Sequence, residues 1–188
     1  DFNVKSRKAL DYNSQEAKEI IDKYGIKRVP SLIILSKDIE KIGIDVNTLS
    51  INKDYVIFDK SVPYIELGTN EINGLVKLIE IKPDNCQECA SLTQLKTEFE
   101  KLGVKISGYE IVNSSSEKWK LFIEKNDLNS VPALLISKDI KEYWEIFDQI
   151  KNSIEEKEDY YLFKNAVFPY LDLKDGKVKG KVGLTYIE

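Results

Sequence analysis

The sequence predicts an α/β fold built from one unit that occurs nearly twice. Three observations carry this. A series of blocks recurs in the same order. Within a copy, β-rich alternating runs take turns with runs of helical period. Clusters of Gly, Pro, Asn and Asp punctuate the boundaries. The first block, Val29-Pro30-Ser-Leu-Ile-Ile-Leu-Ser-Lys-Asp-Ile39, returns as Val131-Pro132-Ala-Leu-Leu-Ile-Ser-Lys-Asp-Ile140. Upstream, Ile20-Ile-Asp-Lys-Tyr-Gly-Ile26 matches Phe122-Ile-Glu-Lys-Asn-Asp-Leu128. Downstream, Asp54-Tyr-Val-Ile-Phe58 matches Asp159-Tyr-Tyr-Leu-Phe163, and Val62-Pro-Tyr-Ile-Glu-Leu67 matches Val167-Phe-Pro-Tyr-Leu-Asp-Leu173. Finally Gly74, Val76, Leu78 and Ile81 match Gly180, Val182, Leu184 and Ile187. Residues 1–73 therefore read as a partial copy and residues 74–188 as a fuller one. The chain starts at Asp1 and contains no Met, which fits a piece of a longer parent.

In the fuller copy, the alternation from Gly74 to Lys82 predicts a strand. Pro83-Asp84-Asn85 breaks it, and Asp84 or Asn85 is placed to cap a helix from Cys86 to Leu102. Leu92, Leu95, Phe99 and Leu102 supply its apolar stripe and Gly103 its stop. Val104 to Val112 is a second strand. Ser114-Ser-Ser116 precedes a helix with Trp119, Phe122 and Ile123 on one face. After the turn at Asn129-Ser-Val-Pro132, Ala133 to Ser137 is a strand. The stripe Ile140, Tyr143, Trp144, Phe147, Ile150 and Ile154 predicts a helix within Lys138–Lys157. Tyr160–Phe163 and Tyr170–Leu173 close the copy as strands. A strand–helix–strand order implies at least two parallel strands joined by a crossover helix.

Composition narrows the chemistry. Of the 188 residues, 42% are hydrophobic, enough for a packed core. A net charge of −4, with only Arg7 and Arg28 as arginines, argues against a phosphate-reading surface and hence against nucleic acid as a partner. No apolar run is long enough to span a membrane, so membrane association is expected only through a part of a longer parent. The absence of His excludes Ser-His-Asp and Cys-His nucleophile pairs and any His-ligated metal.

The two cysteines, Cys86 and Cys89, lie three apart. At a helix start, unpaired N–H groups and the helix dipole would favour a thiolate on Cys86, with Cys89 one turn further in to resolve it. Half a zinc site, a structural disulfide and two unrelated buried thiols stay open as other readings. Glu88 and Asp84 bring negative charge near the sulfurs, which opposes thiolate formation. Asn113-Ser-Ser115 fits a glycosylation sequon by pattern.

The order of strand, Cys-x-x-Cys, β-α step and Val-Pro opening the next strand resembles the thioredoxin superfamily. Here it reads Leu78-Ile-Glu-Ile-Lys-Pro-Asp-Asn-Cys86-Gln-Glu-Cys89 and then Val131-Pro132-Ala-Leu-Leu-Ile136. The resemblance covers most of residues 74–150. It implies tandem three-layer α/β/α domains with a mixed central sheet, the first lacking its cysteine segment. It implies a thiol–disulfide oxidoreductase with Cys86 and Cys89 as the catalytic pair and no cofactor. The alternative is a non-catalytic scaffold with a structural disulfide. It further implies a cis Pro132 against the pair, a Val131 backbone free to bind a substrate strand, and Glu80 as a buried proton acceptor. Tyr186 holds the position matching Glu80 in the next copy. Departures from the family are Asn85 in place of the usual Trp, the inner pair Gln87-Glu88, and the helix proposed before the closing strands. The expected partners are disulfide- or dithiol-containing proteins. Oligomeric state is not legible, and localisation leans only slightly to an extracytoplasmic parent.

Overall fold

The computed structural model describes residues 4–36, 50–52, 54–163 and 168–187. Val167 and residues 37–39, parts of the repeat blocks, lie outside these. The chain divides into two compact units, Asp1–Asn73 and Gly74–Glu188. Among the described residues both mix helices and strands, so the chain is α/β.

The first unit opens with helix α1 (Gln15–Tyr24). The Ser14 hydroxyl accepts from the Ala17 N–H at its start, and Gly25, at φ 64°, ends it in the left-handed conformation. Strand β1 (Arg28–Val29) follows, then β2 (Leu32–Leu35), β3 (Ser50–Asn52), β4 (Tyr55–Phe58), β5 (Tyr64–Glu66) and β6 (Glu71–Asn73). These form two small antiparallel sheets, ordered β1-β5-β6 and β2-β4-β3.

The second unit contains β7 (Val76–Lys82), α2 (Thr93–Lys101), β8 (Ile106–Asn113), α3 (Trp119–Lys125), β9 (Ser130–Val131) and β10 (Ala133–Ser137). Next come α4 (Trp144–Ile150), β11 (Ile154–Glu156), β12 (Tyr160–Phe163), β13 (Tyr170–Asp172) and β14 (Val178–Lys179). The main sheet is mixed and ordered β11-β12-β10-β7-β8. β7 and β8 are the expected parallel pair, with α2 as the crossover, and β10 pairs antiparallel with β7 and β12. A smaller sheet runs β14-β13-β9.

Period-two alternation sorts the strand residues onto two faces. Val76, Leu78, Leu134 and Ile136 pack on one side with Leu92 and Phe99 of the α2 region and Ile140 and Ile146 of the α4 region. Ile79, Ile81, Ala133 and Leu135 pack on the other, with Trp119, Phe122 and Ile123 of α3. The second unit thus has helices on both faces of its sheet.

The duplication is visible pair by pair. In the first unit Ile33, Ile34 and Leu35 face Ile57, Val56 and Tyr55. In the second, Leu135, Ile136 and Ser137 face Leu162, Tyr161 and Tyr160, the matching residues. Val29 faces Ile65 as Val131 faces Leu171. Ile65 faces Ile72 as Leu171 faces Val178. Among the described residues, the first unit differs in having no counterpart of β7, α2 and β8. The peptide bonds before Pro30 and Pro132 are both cis, as are those before Pro63 and Pro169.

Two helix expectations need correction. The helix expected from Cys86 begins at Thr93, so the cysteines lie in the preceding turns. Polar contacts to distant segments outcompete helix there. The Asp84 carboxylate accepts from the Ser114 hydroxyl (2.9 Å) and the Ser115 N–H (2.7 Å) instead of capping. The Ala90 N–H donates to the Pro169 carbonyl at 2.9 Å. The helix expected within Lys138–Lys157 is broken into a 3-10 turn (Lys138–Glu142), α4 and a second 3-10 turn (Lys151–Ser153), and Ile154 starts β11. The Tyr143 hydroxyl, which donates to the Gly74 carbonyl (2.8 Å) and accepts from the Lys105 N–H (2.9 Å), fixes the break. The apolar stripe is still buried, since Ile140, Ile146 and Ile154 reach one core.

Candidate functional site

β7 ends at Lys82, and a buried Pro83 turns the chain out of the sheet. The following turn holds Cys86 and Cys89, both half-buried, and the Cys89 N–H donates to the Cys86 carbonyl at 3.3 Å. The sulfurs are joined at 1.98 Å, with the Cα atoms 5.3 Å apart. Cys86 and Cys89 are thus alike in being half-buried, and no helix N-terminus lies directly behind Cys86.

The charges near the turn are partnered. Glu88 pairs with Lys181 at 2.5 Å, so its charge is countered. The Ser115 and Ser114 hydrogen bonds hold Asp84 below the usual carboxylate range. The same two serines belong to the sequon, so that loop braces the segment entering the cysteine turn.

Glu80 is 1% exposed. By strand alternation it shares the face of Val76 and Leu78, beneath the start of α2. The Leu92 N–H donates to its Oε1 at 3.3 Å, and the Tyr109 hydroxyl donates to its Oε2. Burial first, then the bond to Glu80, pushes the Tyr109 phenol well above its ordinary range. No motif in the sequence marks Tyr109. The available signal is the parallel register, in which β8 runs alongside β7 with Leu78 opposite Tyr109 and Glu80 opposite Ile111.

Val131 departs from expectation. It is fully buried and faces Leu171 of β13. The Leu173 N–H donates to the Asn129 carbonyl at 2.9 Å. Alternation along an antiparallel pair then directs the Val131 N–H and C=O at Leu171. The Val131 backbone is therefore occupied within the unit rather than free for a substrate strand. Pro132 is cis and buried. The group bonded to the segment after Cys89 is Pro169, through its carbonyl and the Ala90 N–H.

Gly180 fixes the chain beside this loop. It sits at φ +78°, and a Cβ built on it would lie 2.2 Å from Cδ1 of Phe168. Gly180→Ala should therefore displace the Phe168 ring and strain the backbone, lowering stability by about 1–3 kcal/mol in urea denaturation. An unchanged midpoint would show that the close approach to Phe168 is not maintained.

Among the described residues no group of three or more His, Cys, Asp or Glu is placed to hold a metal ion. Among them, too, no helix is long and apolar enough to cross a membrane. Comparison with protein-family models, curated proteins and solved structures finds no match.

Proposed function

We propose that the chain is a thiol–disulfide oxidoreductase acting through Cys86 and Cys89 on disulfide- or dithiol-containing proteins. The observation that carries this reading is the placement of its only two cysteines. They stand at bonding distance on a partly exposed turn directly after an interior strand. In the reductive direction, the Cys86 thiolate attacks one sulfur of a substrate disulfide. That S–S bond breaks, a mixed disulfide forms and one substrate thiolate leaves. Cys89, deprotonated, then attacks the Cys86 sulfur and the second substrate thiolate leaves. Two electrons pass from the cysteine pair to the substrate, and the oxidative direction reverses each step. Glu80 is the proposed acceptor of the Cys89 proton. Its burial on the strand leading into the turn supports that role, as does the lack of any His.

A specific observation favours a second reading, in which the disulfide is structural. α2 begins at Thr93, so the helix dipole lends little to a Cys86 thiolate. The two readings separate on the reduction potential and on turnover of a protein disulfide. The redox reading expects a potential above about −300 mV and loss of turnover in Cys86→Ser. A potential below about −300 mV with no turnover in the unaltered chain would establish the structural one.

A further inference from the structure

We propose that the hydroxyls of Tyr109, Thr93 and Ser91 form the route by which a proton passes between buried Glu80 and the surface. The proposal rests on the reading in which Glu80 takes the Cys89 proton. A base that keeps the proton it accepts can act only once. The carboxylate has to return that proton to solvent before the cysteine pair reacts again. Glu80 is 1% exposed, so solvent does not reach it directly.

The partners of Glu80 differ in what they can pass on. Among the described residues, two groups donate to it, the Leu92 N–H to Oε1 at 3.3 Å and the Tyr109 hydroxyl to Oε2. An amide N–H has no lone pair with which to take a replacement proton, so Leu92 is a fixed donor. A hydroxyl holds a proton and lone pairs on one atom, so it can accept on one side as it gives up on the other. Tyr109 is only half-buried. Its phenol also hydrogen-bonds the Thr93 side chain, and the Ser91 hydroxyl donates to the Thr93 hydroxyl at 3.1 Å. Ser91 and Thr93 are both exposed. One crossover unit builds the whole path. Glu80 lies on β7, Tyr109 on the parallel β8 beside it, and Thr93 opens α2 between them.

The carboxylate sets the polarity of the path. Ionised Glu80 only accepts, so Tyr109 donates to it and its oxygen accepts from Thr93, as Thr93 accepts from Ser91. Every proton then points inward, and one shift along the hydroxyls protonates Glu80 from solvent. Once Glu80 holds the Cys89 proton, the hydroxyls turn and the shift runs outward. Glu80 gives a proton to Tyr109, Tyr109 to Thr93, Thr93 to Ser91 and Ser91 to water. Each hydroxyl gains one proton and loses one, Glu80 returns to the carboxylate, and no electrons move. Tyr109 stays neutral throughout, which suits a phenol that burial and Glu80 hold well above its ordinary range. Tyr109 and Thr93 act only through Glu80 and are positioning residues.

Stopped-flow oxidation of the reduced chain by the aryl disulfide dithionitrobenzoate tests this. The thiolate it releases is coloured and stays unprotonated at neutral pH. Absorbance therefore times the sulfur chemistry, and a pH indicator in weak buffer times the arrival of the Cys89 proton in solvent. In the unaltered chain that proton should appear together with the second thiolate. In Tyr109→Phe and in Thr93→Val the second thiolate should appear at the unaltered rate, and the proton should lag it at least tenfold. Thr93→Val leaves the Tyr109–Glu80 bond in place, so it carries the test if Tyr109→Phe does not fold. Thr93→Ser keeps a hydroxyl and should restore the unaltered timing. A proton that keeps pace in Thr93→Val, or in folded Tyr109→Phe, overturns the route, and so does a lag that persists in Thr93→Ser. Glu80→Gln tests the underlying reading separately, since it should slow the second thiolate itself. An unaltered second thiolate there removes Glu80 as acceptor and the route with it. A slowed one, with no lag in the other variants, removes the route alone.

Discussion

Leu134→Ala should destabilise the second unit by about 3 kcal/mol, and Leu32→Ala should cost the first unit less than about 1 kcal/mol. The two leucines occupy one position of the repeat. Leu134 is 1% exposed, between β7 and β12 and packed with Leu78, Leu92 and Ile140. Removing its side chain forfeits the transfer energy and leaves a cavity whose walls are held by three elements. Leu32 is 58% exposed, on a strand that lies at the sheet edge among the described residues, so its truncation forfeits part of the transfer term and leaves no enclosed cavity. The measurement is urea denaturation of the whole chain at low concentration, following the transition that each variant moves. Equal costs would mean that Leu32 is buried in solution by something the described residues do not include.

That asymmetry marks what a sequence conveys. The repeat, the α/β class and the strand at Ala133–Ser137 follow from patterns spanning a few residues, because alternation and turn chemistry are local. Leu32 and Leu134 sit in nearly identical blocks, and no local pattern tells which is covered. Burial depends on whether a β7-type strand lies alongside. The start of α2 is hidden from the sequence for a related reason. Asp84 looks like a cap for Cys86, but it is drawn to Ser114 and Ser115 some thirty residues on, and Ala90 bonds to Pro169 across a larger gap. The same tertiary competition occupies the Val131 backbone with Leu171. Glu80 was legible as a candidate from its spacing to Cys86. Its partner Tyr109 was not, since it depends on the parallel register of β8 beside β7.

Tyr109→Phe should lower stability by about 2–3 kcal/mol at neutral pH, because it removes one of the two donors to a buried carboxylate. Glu80→Leu alone leaves the Leu92 N–H and the Tyr109 hydroxyl short of an acceptor and should cost a comparable amount. The double variant should cost clearly less than the two single losses together, since it removes both partners of the bond. Strict additivity in this cycle would mean that the two side chains do not interact in solution. The pH dependence gives a separate check. Tyr109 titrates higher folded than unfolded, because burial and the bond to Glu80 disfavour the phenolate. Below about pH 10 both states carry the proton and the group's contribution is complete. Above it the unfolded chain releases the proton while the folded chain retains it. Stability therefore falls as pH rises past about 10 and continues to fall until the folded phenol titrates. The comparison is with Tyr109→Phe, whose alkaline decline should be shallower. If Glu80 takes the Cys89 proton as proposed, Glu80→Gln should slow release of the mixed disulfide more than its formation. Tyr109→Phe, which leaves the carboxylate in place, should retain that step.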